Sequence, residues 1–188
     1  MWFPREILPL AAIGANLFTF CFQLLILLFG LAFFRQPPEW DMLWLVIPAL
    51  IVTLMIATGL GLLLSALNVL FRDVQHFLEL GLLTWFWFTP IVYSYNLIGS
   101  AITERWGDGA ERLASLNPML PVVTTFQRVV YNPTNFSETQ QAEFSRLVDR
   151  DTVWYLQNLG ISAVFGLVFL IVGFKVFTNL EANLGEEL

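Results

Sequence analysis

The sequence predicts an all-α integral membrane protein with four transmembrane helices and short interfacial or re-entrant helices before the last one. Of the 188 residues, 57% are hydrophobic and 13% are charged, whereas soluble domains carry roughly 25% charged residues. Four stretches without Asp, Glu, Lys or Arg are long enough to span a bilayer, which takes about 20 apolar residues. They cover residues 7–34, 42–71, 80–103 and 152–174. All four are apolar on every side, which excludes a soluble helical bundle with polar outer faces.

The first span is predicted to follow a bent interfacial segment. Pro4 and Pro9 lie within residues 3–10 and make this segment a poor start for a straight helix. The straight part is therefore expected over residues 17–34, which corresponds to about 27 Å of helix and matches the hydrocarbon thickness. A Pro-Pro pair and charged residues after Phe34 end it.

The second span is expected to begin at Trp40 and Trp44, whose amphipathic rings suit the headgroup level, and to end near Leu67. A cluster of small residues near its far end predicts a close contact with another helix. These residues are Gly59, Gly61, Ser65 and Ala66.

Residues 68–79 carry several charges, and each would cost about 2.5–3.5 kcal/mol at the middle of a bilayer. We therefore expect a loop or a surface helix here. The third span is predicted over residues 80–92 and is short, because Pro90 kinks or ends it.

Residues 96–151 form a predicted extracytoplasmic excursion with two short helices. Asn117 is a candidate N-cap and Pro118 suits a first helical turn, which predicts a helix over 118–131. Its apolar face comprises Met119, Val122, Val123, Phe126 and Val130. Ser137 and Gln140 resemble a capping box, which predicts a second helix over 137–148.

The last span is expected to begin near Trp154 and Tyr155 and to end at Lys175. Positively charged residues of short loops favour the cytoplasmic side. Their distribution predicts that both termini are cytoplasmic. It places Arg5, Arg72 and Lys175 on one side and Arg35 on the other.

Several chemistries are excluded by the residues that the sequence contains. It has no G-x-x-x-x-G-K-[ST] motif, so ATP hydrolysis by a P-loop would have to come from another subunit. One histidine and one cysteine cannot build a His/Cys metal cluster. The net charge of −6 and the lack of a basic patch argue against a nucleic-acid partner.

Aromatic residues are dense in the third span, where Trp85, Phe86, Trp87 and Phe88 follow one another. Trp85, Phe88 and Val92 share a helical face. Such rings either stack on sugars or occupy the membrane interface, and the residues alone leave both interpretations open.

Five landmarks in order resemble one family, the permease of type-2 ABC exporters for O-antigen, teichoic acid, capsule or galactan chains. They are FPREILPL at residues 3–10, GLLLSALNVLFRDV at 61–74, FTPIVY at 88–93, LNPM at 116–119, and an acidic tail over 174–188.

This resemblance implies a permease domain over residues 1–188 in the bacterial cytoplasmic membrane. It implies a homodimer of six-span permeases, two cytoplasmic ATPase subunits that bind ATP and Mg²⁺, a lipid-linked glycan as substrate, surrounding membrane lipid, and no cofactor in this chain. The family carries an interfacial helix and two spans before the Phe-Pro-Arg-Glu run, so we expect this chain to lack them.

The same resemblance assigns roles to two sets of residues. ATPase coupling is expected of Arg5, Glu6, Arg72 and Asp73, which lie on the two segments expected to face the cytoplasm. The substrate path is expected to include Trp85, Phe88, Tyr93 and Tyr95.

Two other classes of protein are compatible with four apolar spans. A non-transporting membrane subunit needs only packing surfaces. A membrane-embedded glycan-modifying enzyme would need clustered acids or histidines inside the spans, and the four charge-free stretches contain no acidic residue and no histidine. A P-loop ATPase encoded next to the gene would favour export over both alternatives.

Overall fold

The computed structural model describes residues 7–35, 38–71, 73–92, 116–130 and 151–186. Every secondary-structure element within these ranges is a helix, which confirms the all-α prediction. The elements are α1 (Ile7–Phe33), a 3-10 helix (Trp40–Leu45), α2 (Val46–Leu70), α3 (Val74–Phe88), α4 (Leu120–Val130) and α5 (Thr152–Glu186).

Three helical segments of the described chain are long and apolar enough to cross a membrane. They are Ile7–Phe33, Trp40–Leu70 and Thr152–Leu180. α3 has 15 residues, about 22 Å of helix, and falls short of the length that a full span requires. The structure therefore supports three of the four predicted spans.

The first helix begins at Ile7, ten residues before the predicted straight span. Pro9 does not bend it, because Pro9 lies in the first turn, where a missing N–H costs no intrahelical hydrogen bond. Residues 7–10 are thus helical, and residues 3–6 of the predicted bent segment lie outside the described residues. Arg35 follows the helix with a φ of 54°, the left-handed conformation that commonly ends helices.

The centre of the fold is a close packing of α2 on α5, and it confirms the contact predicted at Gly59. A Cβ on Gly59 would overlap the backbone of Phe169 and Leu170, and one on Gly173 would overlap the carbonyl of Gly59. A Cβ on Gly166 would lie 3.2 Å from that of Met55. Positions increase together along both helices, so α2 and α5 run in the same direction.

The third helix begins at Val74 and ends at Phe88, so it lies earlier in the chain than the predicted span. The charged residues His76 and Glu79 belong to its exposed first turns, which agrees with a surface helix rather than a loop. It ends two residues before Pro90, as predicted, because a proline disfavours helix at the residue before it.

The fourth helix packs an apolar face against α2, as its pattern predicts. Val122 belongs to the buried core with Ala49 and Val52, and Met119 and Phe126 pack against that core. The amide of Glu39, just before the 3-10 helix, donates to the carbonyl of Val129 over 3.0 Å. α4 thus runs antiparallel to α2. Its first residues lie beside the first half of α2, and its last residues lie beside the segment that precedes α2.

The last helix begins at Thr152, as predicted, and extends past Lys175 to Glu186. Tyr155 lies in the first turn of this helix and is only 1% exposed, so its ring packs inside the protein. Leu159, one helical turn after Tyr155 on the same side of α5, belongs to the buried core cluster. That side of α5 therefore faces the core. The second helix predicted in the excursion, 137–148, lies outside the described residues.

Candidate functional site

An open cavity of about 260 Å³ lies where α2, α3 and α4 meet. α2 and α3 form two of its walls and the start of α4 forms a third. Its lining is almost entirely apolar and includes two aromatic rings of α3. The lining residues are Thr53, Ile56, Ala57, Leu60, Leu82, Trp85, Phe86, Thr89, Ile91, Met119 and Val123.

Asn117 connects the end of α3 to the start of α4. Its Oδ1 accepts hydrogen bonds from the indole N–H of Trp85 over 2.8 Å and from the backbone N–H of Met119 over 3.1 Å. Its Nδ2 donates to the hydroxyl of Thr89 over 2.9 Å and to the carbonyl of Phe88 over 3.4 Å. One amide therefore caps the turn before α4 and fixes the orientation of the Trp85 ring.

A second contact joins the same two elements. The side-chain amide of Gln127, two turns along α4, donates to the carbonyl of Pro90 over 2.7 Å. The carbonyl of Pro90 follows the end of α3 and has no partner within that helix. Gln127 satisfies it and holds α4 against the end of α3.

The polar atoms that line the cavity already have partners. The hydroxyl of Thr53 donates to the carbonyl of Ala49 over 2.8 Å, and that of Thr89 donates to the carbonyl of Trp85 over 2.9 Å. The indole N–H of Trp85 is used by Asn117. The cavity therefore suits a surface made of C–H groups, such as a hydrocarbon chain or the face of a sugar ring.

The residues predicted for the substrate path do not share one environment. Trp85 lines the cavity. Phe88 is 71% exposed and does not line the cavity, although helical spacing places both on one face. Tyr93 and Tyr95 lie outside the described residues.

Sequence reasoning missed an ion pair between Glu39 and Arg128. Both nitrogens of the guanidinium fork reach the carboxylate: Nη1 contacts Oε2, and Nη2 donates to Oε1 over 3.2 Å. The side chains are 9% exposed for Arg128 and 20% exposed for Glu39. One signal was available in the sequence: Arg128 is the only charged residue of α4, whose other residues are apolar or uncharged.

Comparison with known proteins identifies the family. The sequence profile of the family described as "ABC-2 type transporter" matches residues 2–108, more than half of the chain. The chain belongs to this ABC-2 family.

The curated relatives of this ABC-2 chain include three proteins named "O-antigen export system permease protein RfbA". The one from Myxococcus xanthus is 32% identical over 130 residues, which cover 69% of this chain and 47% of the relative. Two from Klebsiella pneumoniae are 24% and 23% identical over 99% of this chain and 61% of each relative. No solved structure shows significant similarity.

The ABC-2 chain thus spans about half to three fifths of the length of these relatives. Family membership and the three apolar helices identify a multi-pass protein of the bacterial cytoplasmic membrane. The residues that resemble the family, from the Phe-Pro-Arg-Glu run to the third predicted span, fall within the matched range.

Of the four residues predicted for ATPase coupling, Asp73 is described, and the other three lie outside the described residues. Asp73 is exposed and immediately precedes α3. A Cβ on Gly61 would lie 3.5 Å from Cδ1 of Ile13, so the start of α1 lies beside the last part of α2. Among the described residues, Ile13 near the start of α1 and Gly61 in the second half of α2 therefore lie side by side.

Proposed function

We propose that this chain is the transmembrane part of an ABC exporter that moves a polysaccharide or another lipid-linked glycan across the cytoplasmic membrane. The observation that carries the proposal is its similarity over 99% of its length to two proteins named as O-antigen export permeases. The 188 residues contain no P-loop motif, so the proposal takes its energy from a separate ATPase. ATP and Mg²⁺ would bind there, and this chain would carry no cofactor.

The proposed topology places both termini in the cytoplasm, with α1, α2 and α5 as full spans. Because α2 and α5 run in the same direction, the chain between them returns to the side where α2 begins. α3 runs back along α2 from Val74 to the level of Thr53, where it meets α4. We assign α3 and the residues up to Val92 to the predicted third span, and α4 to a re-entrant helix on the outer side.

The proposed substrate path runs along the side of α3 that carries the aromatic residues. Trp85 has the clearest support, because its ring is held in place by Asn117 and lines an apolar cavity. Phe88, Tyr93 and Tyr95 are proposed to continue the path on the outer side. A second copy of the permease would complete it.

The proposed ATPase contact uses Arg5, Glu6, Arg72 and Asp73. Support comes from the packing of Ile13 of α1 beside Gly61 of α2, which is expected if the residues before α1 and those after α2 share one side of the membrane. Charged residues at that end can pair across an interface with a soluble subunit, where complementary charge favours association.

Co-purification tests the proposal. The affinity-tagged chain, co-expressed with a candidate ABC ATPase encoded beside its gene, should retain the ATPase after solubilisation, and Arg72→Glu should weaken that retention without reducing membrane insertion. Arg35→Glu is the matched control, because Arg35 follows α1 at the opposite end. Failure of the wild-type chain to retain the ATPase would contradict the proposal, and equal retention by both variants would remove Arg72 from the contact.

A further inference from the structure

The Glu39–Arg128 ion pair lies at the end of α4 that is distant from the Asn117 network. Glu39 precedes the 3-10 helix that leads into α2, and Arg128 lies in the last turn of α4. The two-pronged geometry fixes both the distance and the orientation of the guanidinium. The backbone hydrogen bond from Glu39 to Val129 joins the same two segments.

The surroundings of the pair make it more than a surface contact. Arg128 is 7% exposed, and its neighbours Thr125 and Val129 are buried. A charge in such surroundings is costly unless it is paired, so removal of one partner leaves an uncompensated buried charge. By contrast Asp41, two residues after Glu39, is exposed.

The rest of the α2–α4 contact does not specify a position along the helices. Val122 packs against Ala49 and Val52 through aliphatic side chains. Such contacts are non-directional and tolerate sliding. The directional contacts of α4 lie towards its two ends. Asn117 and Gln127 hold the end of α3, and the ion pair and the Glu39–Val129 backbone hydrogen bond hold the segment before α2.

We propose that Glu39 and Arg128 are positioning residues that fix α4 against the start of α2 and thereby set the width of the cavity lined by Trp85. Met119, just before α4, and Val123 of α4 form one wall of this cavity, so a shift of α4 moves that wall relative to the ring. The proposal concerns the site described above, and its structural part holds independently of the exported substrate.

A cross-linking experiment measures the position of α4 directly. Thr53 on α2 and Val123 on α4 line the same cavity, so cysteines at both positions, in a Cys21→Ala background, should react with a short bifunctional thiol reagent. The cross-linked fraction is measured in isolated membranes, without ATPase or glycan. A failed export proposal therefore leaves this result unaffected.

Loss of the pair should lower the cross-linked fraction of membrane-inserted protein. We expect a fall of about tenfold, corresponding to about 1.4 kcal/mol, for Glu39→Gln and for Arg128→Gln. The charge exchange Glu39→Arg with Arg128→Glu should restore most of the signal. Asp41→Asn removes the same charge from an exposed position and should match the wild type.

The double variant Glu39→Gln with Arg128→Gln separates positioning from general stability. It leaves no unpaired charge, so it should insert at normal levels even if the single variants do not accumulate. A low cross-linked fraction in this variant supports the proposal. The proposal would be overturned if the inserted double variant gave the wild-type cross-linked fraction. It would also be overturned if the charge exchange gave a cross-linked fraction no higher than that of Glu39→Gln and Arg128→Gln.

Discussion

A single amide organises the candidate site. Asparagine offers an acceptor oxygen and two N–H donors, and Asn117 uses them to join Trp85, Met119 and Thr89. Its sequence context, an Asn-Pro before an apolar pattern, predicts a helix start and nothing about Trp85, which lies 32 positions earlier. The connection depends on how α3 meets α4, which no local pattern encodes.

The same limit applies to the aromatic residues of α3. Helical spacing predicts that Trp85 and Phe88 lie on roughly the same side, but it does not fix which neighbour that side faces. In the structure Trp85 lines the cavity and is partly buried, whereas Phe88 does not line it and is exposed. Residue type and spacing therefore identify Trp85 and Phe88 as candidates for the substrate path, but only the packing shows that Trp85 alone of the two lines the cavity.

Replacement of Trp85 tests the role of its ring. In the complete permease, Trp85→Leu should lower glycan export several-fold at an unchanged membrane level, since an aromatic contact contributes about 0.5–1.5 kcal/mol. Trp85→Phe should retain more export than Trp85→Leu, because it keeps an aromatic ring although it loses the smaller ring of the indole and the N–H that donates to Asn117. Surface glycan is quantified against membrane-inserted protein.

Trp87 provides the matched control for that substitution. It follows Trp85 by two positions, is 59% exposed and does not line the cavity. Trp87→Leu should export like the wild type. If Trp85→Leu also exports normally, the ring serves packing and the proposed substrate path does not pass it.

Helix packing shows why small residues matter in this fold. Apolar side chains gain little by leaving lipid for another apolar surface, so membrane helices associate where their backbones approach closely. Gly59, Gly166 and Gly173 provide that approach between α2 and α5. Gly59 was identified in the sequence, but its partner could not be, because the two helices are separated by more than 100 positions.

A methyl group at this crossing should therefore be harmful. Gly59→Ala should destabilise the protein by about 1–3 kcal/mol, the usual cost of overpacking, because the added Cβ meets backbone atoms rather than a movable side chain. Gly30→Ala is the control, since a Cβ there meets nothing within 4 Å. Denaturant titration of the purified protein measures the difference, and equal stability of the two variants would contradict the packing described.

The sequence predicted the start of α5, where charged residues precede the helix. It did not predict the starts of α1 and α3, which depend on where Pro9 and the charged residues lie within the helix. α5 begins at Thr152, as expected from the charges that precede it. α1 begins ten residues before the predicted straight span, because Pro9 is harmless in a first turn. α3 begins earlier than predicted, at Val74, because its first turns are exposed and an exposed helix can carry charged side chains.

At the scale of the whole molecule, the parallel course of α2 and α5 constrains the topology. The α2–α3 connection must lie on the same side as the end of α5, while the loop before α2 must lie on the opposite side. Arg72 and Lys175 therefore belong to one side, which agrees with the charge distribution of the short loops. The proposed orientation makes that side cytoplasmic.

Cysteine accessibility tests this orientation. In a Cys21→Ala background, a cysteine at exposed Asp41 should react with a membrane-impermeant thiol reagent added to intact cells, and a cysteine at exposed Gln75 should react only after the cells are opened. If position 75 reacts in intact cells and position 41 does not, the orientation of the chain in the membrane is the reverse of the one proposed. Reaction of both positions from outside would rule out a full span for α2.

The central claim, that this chain is needed to move a glycan to the outer side of the membrane, is tested most directly by locating the glycan after deletion of the gene. We predict that the deletion strain loses the surface glycan and accumulates the lipid-linked chain on the cytoplasmic side, and that the gene supplied in trans restores the surface form. A deletion strain with a normal amount of surface glycan and no internal accumulation would contradict the account.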